Sequence, residues 1–232
     1  MNSATHKPGP PEAGPHADRP ILAPGDDPGK FYADIVNGLH AIAQPLTILR
    51  AAIEVLALPA CAVDHQRYQE ISAKQVERTC HLFTSLQDLV AAKLNDAQRV
   101  RFDLWELLGP MIEDRRALLQ AAGIGIVVAS HHPFEPVLGD LERTEKALAE
   151  VLKMAASVSS RGDVIELHAS HADGFCQLTL QNTRGHGKRI SSPDRLSLSV
   201  AAINIVSQQG KYRFVEDPFC VSLALPVQDS GM

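Results

Sequence analysis

The residues best suited to chemistry lie in one run, His40-Ala41-Ile42-Ala43-Gln44-Pro45-Leu46-Thr47. Imidazole is nucleophilic when neutral, and its ordinary pKa of about 6.5 leaves it largely neutral near pH 7. Pro45 stands inside an apolar repeat of helical period. It offers no N–H to the carbonyl of Ala41, and its ring crowds that carbonyl, at a cost of about 3 kcal/mol. A helix that carries such a residue just beyond a histidine is a candidate site. Gln44 falls one helical turn after His40 and shares its face.

The elements around this run must position it. Ile35, Leu39, Ile42, Leu46, Leu49, Ile53 and Leu56 recur at alternating steps of four and three. That spacing is an a/d seam. His40 follows the seam residue Leu39, so it belongs on the flank of the packed face, open to solvent. Pro59 ends the helix, and Asp64 is suited to cap a second one. The second seam runs through Val76, Thr79, Phe83, Leu86 and Val90, widened by Leu82 and Leu89. Two such helices with a short connection make an antiparallel hairpin. Pairing two hairpins into a four-helix bundle buries both stripes, so a homodimer is expected.

Beyond Asn95 the texture becomes mixed. A strand is expected at 99–103, a helix over 104–122 stopped by Gly123, and a β-rich run at 124–129. A helix follows over 141–158. Strands at 164–169 and 176–181 flank Asp173-Gly174, a strong hairpin signal. Residues 182–196 read as a polar loop, 197–209 as a helix stopped by Gly210, and 212–215 with 220–225 as a last hairpin around Asp217-Pro218. The chain thus divides into a Pro/Gly-rich disordered tail (1–30), a helical hairpin (31–97) and an α/β sandwich (98–228).

His-x-x-x-x-Pro-Leu-Thr on the first helix of a dimerising hairpin resembles the H-box of bacterial sensor histidine kinases. In that family the histidine accepts a phosphoryl group from ATP and passes it to an aspartate of a receiver domain. The likeness continues downstream. The strand at 99–103 and the helix after it resemble the start of the kinase ATP-binding domain. Val137-Leu138-Gly139-Asp140, with the helix at 141–155, resembles the approach to the N-box. Residues 196–210 and 212–226 resemble the last helix and terminal hairpin. The resemblance spans roughly 31–228. It implies a hairpin forming a dimeric four-helix bundle, followed by a histidine-kinase-ATPase-like α/β sandwich.

The departures bear on function. The asparagine that ligates magnesium in the family falls at Met154, and a thioether is a poor ligand for a hard cation. The adenine-binding Asp-x-Gly-x-Gly loop becomes Asn182-Thr183-Arg184-Gly185-His186-Gly187, with Gly185 and Gly187 kept and no aspartate. The phosphate-cradling glycines are replaced by Arg195 and Ser197, whose side chains fill space that backbone N–H groups would use. The acid that normally follows the histidine is Ala41. Phosphoryl transfer from ATP depends on metal and positioned donors. A kept fold with a decayed nucleotide site resembles the dimeric bacterial histidine phosphotransferases.

That resemblance implies His40 as phosphoacceptor, with Gln44 orienting the phosphoryl group and Asn37, Ala41, Thr47 and Ile48 forming a receiver-docking surface. The receiver would bring its own Mg2+, so no cofactor and no metal site of the chain's own are expected. Two other readings are a divergent kinase that autophosphorylates His40 from ATP, and a non-catalytic pseudokinase adaptor that binds receivers or kinases.

Composition narrows the partners. Twenty-two Lys plus Arg against 27 Asp plus Glu give a formal net charge of −5. That argues against nucleic acid, whose binders show a basic face. The four cysteines lie far apart without a C-x-x-C pair, which fits neither a disulfide framework nor a zinc site and suits a reducing compartment. Polar residues interrupt the apolar stretch at 41–60, so no membrane segment is expected, and the chain is expected to be cytoplasmic.

Overall fold

The computed structural model describes residues 28–58, 64–129, 136–182 and 190–227. Two long helices come first, α1 (Pro28–Leu56) and α2 (His65–Leu94). Residues 28–30, expected in the tail, belong to α1, because proline is tolerated in a helix's first turn. The rest of the expected tail lies outside the described residues. The helix runs unbroken through Pro45. Asp64 caps α2 as expected, its carboxylate accepting from the Arg67 N–H at 3.1 Å.

The remaining elements are β1 (Val100–Phe102), α3 (Leu104–Ala121), β2 (Gly125–Val128), β3 (Val137–Gly139), α4 (Leu141–Val158), β4 (Val164–Ala172), β5 (Phe175–Asn182), α5 (Ser192–Val206), β6 (Lys211–Val215) and β7 (Cys220–Pro226). Five strands form one sheet in the order β2-β4-β5-β7-β6, with β2 parallel to β4 and the other neighbours antiparallel. Strand β5 alternates buried and half-buried side chains throughout, and β4 and β7 do so over 164–168 and 220–223. Their inward set, Ile165, Leu167, Leu178, Leu180, Val221, Leu223 and Leu225, packs against α3, α4 and α5 to form an aliphatic core. Asp173 and Gly174 have φ of 52° and 75°. This double left-handed turn closes the β4–β5 hairpin with the twist the strands require.

Two expectations need correction. β3 was expected only as an approach to α4. It pairs with β1 in a separate two-stranded ladder, Val100 opposite Gly139, and three residues are too few for a period to register. The helix expected over 197–209 is α5, which starts at Ser192 and ends at Val206. Ser191 and Asp194 cap it reciprocally, so the Ser-x-x-Asp within the presumed loop is a helix start.

The hairpin does not stand apart from the sandwich. Ala41, Leu82, Leu86, Leu89 and Ala92 of α1 and α2 bury Leu196, Val200 and Ile203 of α5 in a second apolar cluster. Gly38 sets the closeness of this contact. A Cβ there would lie 2.5 Å from Leu86 Cδ2 and 3.3 Å from Leu196 Cδ1.

Candidate functional site

The α1 seam divides into two ribbons. Ile35, Ile42, Leu49 and Leu56 are half-buried. Leu39, Ile53 and Leu46, the alternate seam positions, are 57%, 55% and 46% exposed. Val76 and Phe83, seven residues apart on α2, are also exposed. On the opposite flank of α1, Ala41 is 5% exposed beneath α5. His40 falls between the open apolar ribbon and the covered flank, and its side chain is exposed.

Asn37, Gln44, Thr47 and Ile48 are exposed as well, and Pro45 is buried. Thr47 Oγ1 donates back to the Ala43 carbonyl at 2.9 Å, one turn behind it and close to the carbonyls that Pro45 disturbs. Ala41 differs from the other docking candidates. It is turned inward and offers no surface to a partner, because α5 occupies that flank.

By length and composition alone, α1 is long and apolar enough to cross a membrane. Its exposure is sided, however: Asn37, His40, Gln44, Arg50 and Glu54 are exposed beside the apolar ribbon. That pattern suits a helix packed along one stripe better than one surrounded by lipid.

The nucleotide-like region is built from the end of α4, the end of β5 and the start of α5. Met154 is 2% exposed and packs in the sandwich core. Asn182 is turned into the protein: its Nδ2 donates to Ser159 Oγ at 3.0 Å and to Asp163 Oδ2 at 3.1 Å. Asp163 also accepts from the Ser160 N–H at 2.7 Å. Asn182 therefore ties down the turn after α4 instead of presenting a group to a base. Ser197 is buried and hydrogen-bonds Glu150. Burial pushes the Glu150 carboxyl up, against that hydrogen bond, and one of its oxygens is buried without a partner among the described residues. Arg195 pairs with Glu216 at 2.7 Å, and the same carboxylate accepts from the Ile190 N–H at 3.3 Å. Gly185 and Gly187 lie outside the described residues.

Among the described residues, those that the sequence resemblance assigns to a magnesium nucleotide do not fit one: Met154, expected at the metal, is a buried thioether, Asn182, expected at the adenine, is an amide committed inward, and Ser197, expected at the phosphate, is buried beside the paired Arg195. Among the described residues no cluster of three or more His, Cys, Asp or Glu could hold a metal.

A set of polar residues without a motif in the sequence lies between the hairpin and the sandwich: His81 and Asp88 on α2, and Arg143, Lys146 and Lys153 on α4. Arg143 is 8% exposed and donates to the Ala92 and Asn95 carbonyls at 3.0 and 2.7 Å. A signal was available, since His81 and Asp88 are seven apart, as are Lys146 and Lys153.

The sequence matches no protein-family model and no curated protein. Solved structures do match. The histidine kinase AdeS of Acinetobacter baumannii superposes with a TM-score of 0.65 at 18% identity, covering 82% of this chain and 98% of that one. The histidine kinase ThkA in complex with the response regulator protein TrrA gives 0.65 at 14% identity, over 86% of this chain and 62% of that one. Full-length ShkA in complex with AMPPNP gives 0.55 at 15% identity, over 88% of this chain and 47% of that one. The chain therefore has the histidine-kinase fold, a helical hairpin followed by an ATPase-like α/β sandwich.

Proposed function

We propose that the chain is a two-component phosphorelay protein, a histidine phosphotransferase that moves phosphoryl groups between receiver-domain aspartates through His40. The observation that carries this reading is one contrast. The histidine is exposed beside an open apolar ribbon, while Met154, Asn182 and Ser197, at positions that the resemblance assigns to a nucleotide, are buried in the chain's own packing.

In the proposed step the neutral imidazole of His40 attacks the phosphorus of a receiver's aspartyl phosphate. The N–P bond forms as the P–O bond to aspartate breaks, the carboxylate leaves, and the phosphoimidazolium releases the one proton it carries, on the other ring nitrogen, to solvent. A second receiver's aspartate reverses the sequence. Mg2+ belongs to the receiver, so the chain contributes exposure and in-line placement. Gln44, one turn on, is placed to donate an amide hydrogen to the phosphoryl oxygens. Asn37, Thr47 and Ile48 supply the exposed surface around it. A response regulator bound to ThkA supports receivers as partners. The ribbon of Leu39, Leu46, Ile53, Val76 and Phe83 is suited to a second copy of the chain, giving a cytoplasmic dimer that binds neither nucleic acid nor membrane.

A second reading, a non-catalytic adaptor, is favoured by one observation: Ala41 supplies no acid beside His40. A divergent kinase is opposed by Met154 and Asn182. The test offers labelled Mg-ATP and a labelled phosphorylated receiver in parallel. Acid-labile label taken from the receiver alone, and lost in His40→Gln, is the expected result. Label from ATP would establish the kinase, and no label from either donor would establish the adaptor.

A further inference from the structure

The sandwich is fastened to the hairpin by polar pairs in antiparallel register. Lys146 Nζ of α4 lies 3.0 Å from Asp88 Oδ1 of α2. Seven residues on along α4 and seven back along α2, Lys153 Nζ meets His81 Nε2. At the other end Arg143 holds the last carbonyls of α2, and the Gln98 N–H donates to Asp140 Oδ2 at 2.8 Å. This polar seam flanks the apolar contact of Leu82, Leu86 and Leu89 with α5.

The pairs respond differently to acid. Guanidinium to carbonyl and ammonium to carboxylate both persist over the neutral range. The His81–Lys153 pair joins two nitrogens, so one must donate and the other accept. His81 Nδ1 lies 3.1 Å from Ser85 Oγ. That contact suits the tautomer with hydrogen on Nδ1, leaving Nε2 to accept from the Lys153 ammonium. A second proton turns both nitrogens into donors and sets two cations in contact. Burial already pushes the Lys153 amine down, with the Asp194 carboxylate of α5 opposing it. The other charged groups are Glu150 of α4 with Asp88 of α2 and Arg115 of α3 around it, and Glu77 and Arg78, one helical turn before His81 on α2. Asp194 is engaged by Ser191 at 2.6 Å and Asp88 by Lys146, and the contacts of the His81 ring nitrogens are Ser85 and Lys153, neither of them a carboxylate.

We propose that His81 is a pH-sensitive latch: its neutral imidazole holds the sandwich on the hairpin through Lys153, and its protonation releases it. Docking is complete above the ordinary imidazole pKa of about 6.5 and weakens as pH falls below it. Release uncovers Leu196, Val200 and Ile203 together with Ala41, the flank next to His40. The inference does not depend on what His40 does.

The test is hydrogen–deuterium exchange of the full chain between about pH 5 and 8, corrected for intrinsic rates. The peptides followed cover residues 82–92 and 196–203. If release takes up one proton, the opening constant rises roughly tenfold per pH unit below the titration. His81→Gln keeps an acceptor for Lys153 but cannot be protonated, so its protection should be flat with pH. Lys153→Met removes the second cation and should also flatten it, with far-UV circular dichroism unchanged in both. Equal wild-type protection across the range would overturn the proposal. So would the same acid-induced opening in both variants.

Discussion

Asn182 carries the clearest consequence of a single side chain. Its amide bridges Ser159 and the Asp163 carboxylate, so an aspartate there, as the sensor kinases that the sequence resembles have, would not present a base-binding group. Asn182→Asp would set two carboxylates in the place of a hydrogen bond 3.1 Å long. Loss of the bond and like-charge contact together cost about 1–3 kcal/mol. The melting temperature should fall at pH 7 and recover toward pH 4, where one of the pair takes up a proton. Nucleotide binding should stay undetectable by calorimetry. His40's exposure was legible in sequence, because it follows a seam residue at a known angle. The inward turn of Asn182 was not, because it depends on partners 19 and 23 residues earlier in the chain.

At the scale of elements, the seam period located both hairpin helices, and the Asp64 cap located the start of the second. What the period could not reveal is that α5 covers one flank of α1. That contact is tertiary, and it is what takes Ala41 out of the exposed surface. Gly38 is its tightest point, with Leu86 and Leu196 converging where a side chain would begin. Gly38→Val overfills this contact, at a cost of about 1–3 kcal/mol. The expected signature is a lowered melting temperature with faster exchange in α5 and unchanged exchange in β4 and β5. Uniform loss of protection would instead mean that hairpin and sandwich unfold as one unit. The start of α5 was legible in principle, since Ser191 and Asp194 have capping-box spacing. The polar texture around them masked it. β3 was too short to show.

For the whole molecule, the exposed ribbon sets the expected assembly. Leu39, Leu46, Ile53, Val76 and Phe83 are each about half exposed or more, at seam positions on two neighbouring helices. Exposed apolar residues at seam positions on both helices are suited to a second copy. Light scattering of the wild-type chain should give twice the monomer mass. The double substitution Leu46→Glu with Ile53→Glu should give the monomer mass with helical circular dichroism retained. A wild-type monomer would remove the four-helix bundle from the account.

The central claim concerns where phosphate enters and leaves. Its most direct test supplies one labelled phosphorylated receiver, one empty receiver and no ATP, with and without the chain. The account predicts that label reaches the second receiver only when the chain is present, passes through acid-labile phosphohistidine at position 40, and stops in His40→Gln. Transfer that continues undiminished in His40→Gln, or fails with the wild-type chain while Mg-ATP labels His40, would contradict it.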